Sequence, residues 1–140
     1  MLHKSNETLI SLGLLVLRVG TAAMLICGHG WPKLANFAAR SATFADPLHV
    51  GHAVSLGLVV FAEVLCSALV LLGLATRAAL VPILIFLGVA IFVQHGAAPF
   101  GQKELALIYA VPFLALMIMG PGRFSIDAGG SGGGGSRPRR

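Results

Sequence analysis

Charge is what this sequence has least of. Only 11% of its 140 residues are Asp, Glu, Lys or Arg, against 56% hydrophobic, and the mean hydropathy is +0.89. A soluble domain of this length buries about two-thirds of its surface and needs charge to coat the rest. A water-soluble globule is therefore excluded, and lipid is the expected solvent. Basic runs are missing too. Arg137, Arg139 and Arg140 lie in the closing "GGSGGGGSRPRR", and setting them aside lowers the formal net charge from +5 to +2. Without a basic cluster, nucleic acid is not an expected partner. Gly/Ser repeats behave as flexible linkers, so residues 129–140 read as an engineered linker and tail, and residues 1–128 as the folded domain.

Cysteine is almost absent, with Cys27 and Cys66 alone. If Arg18 and Glu63 are level in two antiparallel helices, Cys27 lies about 13 Å toward one membrane face and Cys66 about 4–5 Å toward the other. That exceeds the ~7 Å between Cα atoms that a disulfide spans, so thiol chemistry within one subunit is not expected. A cleavable leader is not expected either: Glu7 interrupts the N-terminal charge, and the apolar run that follows is too long for a signal-peptide core.

What is present is apolar length. Four segments, 9–28, 53–74, 78–93 and 105–119, have the composition of membrane helices, the last two borrowing flanking residues such as Gln94 and Glu104 to reach about 20 residues. Runs of Val, Leu and Ile without a period of two argue for helices rather than barrel strands. The segment between Trp31 and His52, with Leu34, Phe37, Phe44 and Leu48 among small and polar residues, suits a partial helix at the interface. The expected architecture is an all-α membrane protein, a four-transmembrane-helix bundle with an interfacial segment between helices 1 and 2. Lys4, Arg77 and Arg123 fall on the side of the termini; Lys33, Arg40 and Lys103 fall opposite. The positive-inside rule decides nothing between three and three, but termini in the cytoplasm are favoured if Lys33 and Lys103 belong to a site.

Several polar residues sit where hydrocarbon should be. Arg18 and Glu63 lie at the centres of the first two apolar runs, which makes an Arg18–Glu63 pair at mid-depth the natural expectation. An unpaired charge there costs about 2.5–3.5 kcal/mol or more. Such a pair either locks two helices or forms one wall of a substrate or proton pocket. A second polar layer is expected at one membrane face. The first span leaves through His29, Trp31 and Lys33, the third through Gln94 and His95, and the fourth enters with Lys103 and Glu104, with Tyr109 somewhat deeper. Trp31 reads as an interfacial anchor. His29, His95 and Glu104 are ligand types for a metal, and His29 with His95 for a haem, but no metal-ligand spacing accompanies them, so neither is expected to be bound. Pro112 should kink the fourth helix near mid-depth, free the carbonyl of Ile108 and open a cavity beside Tyr109.

"LRVGTAAMLICGHGWPKL" resembles the opening helix of the DoxX family, with its arginine, its glycine and the closing His-Gly-x-x-Lys-Leu. The likeness continues through Glu63, "LLGLATRAA", "KELALIYA" and the tail "GPGRFSIDA". It implies a small four-helix protein of the bacterial inner membrane, related to membrane subunits of quinone-linked oxidoreductases and of redox-protective complexes. With no soluble redox domain in this chain, the electron donor is expected to be a separate soluble or membrane redox protein. Three functions compete. A redox subunit would bind a quinone or small redox substrate, with Arg18, His29, Lys33, Glu63, His95, Glu104 and Tyr109 as the candidate site. An adaptor or assembly factor would recruit partners through residues 34–48. A transporter would need oligomers or a large internal cavity, and so ranks last.

Overall fold

The computed structural model describes residues 2–130, so the greater part of the expected 129–140 linker lies outside the described residues. Four helices are long and apolar enough to cross a membrane: Ser5–Ala35, His52–Leu72, Thr76–Gln94 and Phe100–Met119. Among the described residues there is no β-strand. Each span is polar-poor all round. Ala22, Leu56, Val70, Ile83 and Phe113 are among the residues that fill the interior, while Val16, Ile85, Phe92, Val111 and Ile118 point outward. That pattern fits a bundle solvated by hydrocarbon, in which close packing replaces the hydrophobic drive.

The second, third and fourth spans fall within a few residues of their sequence expectations. The first does not. Its apolar run ends near Gly28, but the helix continues through Trp31–Ala35. The continuation is achieved by a π-helical turn at Ile26–Gly30, in which the Trp31 N–H donates to the Ile26 carbonyl. A wider turn immediately before Pro32 suits a residue that cannot donate and whose ring crowds the carbonyl one turn back. Lys33 is consequently a helical residue inside the bundle, not a loop residue at the membrane face.

Gly30 sets the height of the first span against the second. A Cβ there would stand 2.7 Å from Val64 Cγ2 and 3.0 Å from the Glu63 carbonyl oxygen, so only glycine allows this approach. The twelve residues from Arg18 to Gly30 cover about 18 Å of helix. Arg18 is thus level with the far end of the second span, beside Gly73, instead of with Glu63. The interfacial segment contains a short helix, Phe37–Arg40, followed by turns up to Val50, in keeping with a partial helix there.

Candidate functional site

The expected Arg18–Glu63 pair is not formed; each residue has a different partner. Arg18 is 2% exposed. Its guanidinium donates to the Pro121 carbonyl at 2.8 Å through Nη1 and to the Phe124 carbonyl at 2.7 Å through Nη2, while its Nε has no partner. The closing "GPGRFSIDA" stretch folds back over the bundle to receive it. Gly73, at φ +70, leaves room for the guanidinium and for Ser125, both of which a Cβ would overlap. Asp127 then caps the third span across the chain: Ala75 N–H donates to Oδ1 at 2.7 Å, and Thr76 N–H and hydroxyl both donate to Oδ2 at 2.9 Å. Those bonds, the Thr76 amide foremost, hold the Asp127 carboxyl below the usual carboxylate range. Arg18 departs from the expected pairing because the first span meets Glu63 at Gly30, twelve residues beyond Arg18, and not at its own centre.

Glu63 instead takes both its bonds from Lys33, whose Nζ donates to Oε1 at 2.8 Å and to Oε2 at 2.7 Å. The carboxylate side chain is 3% exposed and the lysine 17%. Beside the pair, His29 meets Tyr109 edge to face, with ring centroids 5.5 Å apart and planes at 86°. His29, Lys33, Glu63, Tyr109, Gln94 and His95 all line one cavity of about 460 Å³, a size typical of small-molecule sites. Three π-helical turns deliver many of these groups: Ile26–Gly30 carries His29, Phe61–Cys66 carries Glu63, and Ala90–Gln94 carries Gln94. Such turns are rare and recur where a helix must re-aim a side chain at a site.

Five of the seven candidate residues are therefore brought together: His29, Lys33, Glu63, His95 and Tyr109. Arg18 lies in the tail layer, and Glu104 is exposed and away from the cavity. Its neighbour Lys103 is also turned aside, donating to the Gly96 carbonyl at 2.7 Å. Among the described residues no three His, Cys, Asp or Glu side chains come close enough to hold a metal. Cys27 is exposed, Cys66 is buried, and neither is in a disulfide. A further hollow of about 420 Å³ lies between the first and fourth spans beside Pro112, Ile108 and Tyr109, in keeping with a cavity beside Tyr109; the helix itself runs unbroken through the proline.

One part of the wall has no counterpart among the candidate residues. Phe44, Pro47, Leu48 and Val50 of the interfacial segment border the cavity, and Asp46 holds them there. Its carboxylate accepts from Val50 N–H at 3.0 Å, Gly51 N–H at 2.8 Å and the Ser55 hydroxyl at 2.6 Å. The Ser55 bond is the chief reason this carboxyl also sits below the usual range. His52 adds a second tie, donating from Nδ1 to the Phe44 carbonyl at 2.6 Å. The signal available in the sequence was Asp46-Pro47, a turn-initiating pair just before a helix start.

The model of the DoxX family matches residues 13–96, more than half of the chain, including most of the first span, the second and third spans, the Lys33–Glu63 pair and both cavity histidines. No curated protein and no solved structure matches.

Proposed function

The chain belongs to the DoxX family and is a multi-pass integral membrane protein; on that premise we propose that it is the membrane subunit of a redox system, holding a quinone head group against the Lys33–Glu63 pair. The observation that carries this reading is an ion pair with a buried carboxylate, lining a cavity large enough for a small molecule. Burying both charges is costly, and if the pair only joined two helices it would need no cavity beside it.

The donor set suits a ring with two carbonyl oxygens. Lys33 offers an ammonium, and His29 and His95 offer imidazole N–H groups, along walls that are mostly apolar. Reduction of a quinone to its quinol takes two electrons and two protons. The electrons come from a partner, a soluble or membrane redox protein. The protons are within the capacity of Lys33, Glu63 and the histidines, whose groups can exchange them with a bound oxygen within hydrogen-bond reach. Lys33 and Glu63 then hold the head group and move a proton, and Tyr109 fixes the position of His29 through their ring contact. With Lys33 inside the bundle, the basic residues left in the connections favour the terminal side, so the reading places the chain in a bacterial inner membrane with both termini in the cytoplasm.

A thermal melt of the purified protein with short-chain ubiquinone and menaquinone analogues, preceded by an absorption spectrum, tests the proposal. At about 100 times the dissociation constant a genuine site stabilises the native state by about 2.7 kcal/mol. The shift should vanish in a folded His29→Ala variant. No shift with either analogue, and a spectrum without cofactor bands, would return the protein to the adaptor reading, to be tested by substitutions in residues 34–48.

A further inference from the structure

The cavity has two kinds of boundary. Toward the membrane face it is roofed by Phe44, Pro47, Leu48 and Val50, held by the Asp46 bonds. Toward the side it runs between the second and third spans, whose cavity-lining residues include Leu58 and Phe61 on one wall and Pro82 and Ile85 on the other. Leu58 is 55% exposed and Ile85 62%, so this side faces hydrocarbon.

The gap follows from how the spans pack. Phe61–Leu72 lies along the third span, while the first turns of the second span, His52–Val60, pack on the end of the first span and the short helix Phe37–Arg40. The two walls therefore diverge from Phe61 back toward His52. The gap's third-span wall reaches the depth of the ion pair. Glu63 is nine residues before Leu72, Ile85 is nine residues after Thr76, and a tight turn joins the two antiparallel helices, so both stand about 13 Å from the same end. A polar pair in the interior thus communicates sideways with the lipid past Leu58, Phe61, Pro82 and Ile85, none of which carries a polar side-chain group.

We infer that the ligand of the Lys33–Glu63 cavity is a lipid-borne amphipath, which enters sideways from the bilayer between the second and third spans and leaves its apolar tail in the cleft of Leu58, Phe61, Pro82 and Ile85. The inference rests on the head-group reading above and adds to it the ligand's class and its route. A freely water-soluble molecule on its way to the pair has polar contacts only near the membrane face, where Gln94 and His95 border the cavity beside the apolar roof, and nothing in it matches the apolar cleft. An amphipath meets a match at both ends: its head reaches the charged pair, and its tail never leaves an apolar medium.

The test compares a tail-less dimethoxy-methyl benzoquinone with its decyl-substituted analogue in thermal melts of the full chain. Because the decyl chain also partitions into detergent, variants of the cleft decide the outcome. Ile85→Trp and Leu58→Trp narrow the cleft from either wall at half-exposed positions, where folding tolerates a larger side chain, and Ile108→Trp fills the hollow between the first and fourth spans as a control. In the unmodified protein the decyl analogue should reach its half-maximal shift at a concentration about tenfold or more below the tail-less one. Both cleft variants should lose most of that advantage while the tail-less shift persists, and Ile108→Trp should change neither. Equal half-maximal concentrations, or an advantage that survives both cleft variants, would overturn the lateral route while leaving the head-group site standing. Loss of the advantage in Ile108→Trp alone would move the tail to the other side of the bundle and likewise overturn it. No shift with either analogue would sink the head-group reading and this inference together.

Discussion

Two cations sit in the first span, Arg18 buried and Lys33 partly buried, and they have opposite surroundings. Arg18 is enclosed by backbone: its partners are carbonyls of the closing segment, and the nearby Gly73 has no side chain to displace it. Lys33, about 22 Å further along the same helix, faces a side chain of opposite charge and open volume. A charge in a membrane span is commonly read as a functional site. Here that reading suits one of the two. Arg18 fastens the C-terminal segment to the bundle. The Lys33–Glu63 pair satisfies itself and still borders space that a ligand can fill.

The most severe way to break the contrast is Arg18→Ala. It removes two charged hydrogen bonds, each worth roughly 1.5–3 kcal/mol, and leaves a void. A stability loss of about 3–5 kcal/mol is expected in a detergent melt, with quinone affinity unchanged in whatever fraction remains folded. A double-mutant cycle sharpens the contrast at the next level. Lys33→Gln with Glu63→Gln should couple by about 0.5–3 kcal/mol, whereas Arg18→Gln with Glu63→Gln should add within about 0.5 kcal/mol, since those residues share no partner. Coupling between Arg18 and Glu63 as large as that between Lys33 and Glu63 would restore the direct pair.

Gly30→Ala should cost about 1–3 kcal/mol by overpacking and should weaken quinone binding as well, because it pushes Lys33 away from Glu63. A stability loss with full binding would detach the helix approach from the site. The smallest effect belongs to the tail. Asp127→Ala should cost about 1 kcal/mol through the lost cap and leave binding intact. The sign of its pH dependence is fixed by the lowered carboxyl pKa: the contribution is complete above the unfolded value near 3.9 and disappears as pH falls through the lower folded value. Acid melts of the parent should therefore fall more steeply below about pH 4 than those of Asp127→Ala.

The sequence disclosed the four spans because length and apolar composition are local properties. It also disclosed which polar residues gather, since His29, Lys33, Glu63, His95 and Tyr109 do share one cavity. It could not disclose the pairing. The height of one helix against its neighbour depended on a π-helical turn that carried the first span past Pro32, and on Gly30 admitting the second span's backbone. The places of two carboxylates were hidden for a related reason. Asp127 caps Ala75 and Thr76 from 51 residues away, a partnership that leaves no mark in local spacing, and Glu104, placed well by spacing, simply faces outward.

The most direct measurement is the quinone-induced melt shift in a Lys33→Met/Glu63→Leu double variant. Exchanging a buried ion pair for apolar residues of similar volume is often neutral or stabilising, so the double variant should stay folded with a melting temperature near that of the parent. If the pair holds the head group, the shift produced by the decyl analogue disappears in this folded protein. A shift of undiminished size would show that the quinone binds elsewhere, and would leave the Lys33–Glu63 pair as a second structural fastening like Arg18.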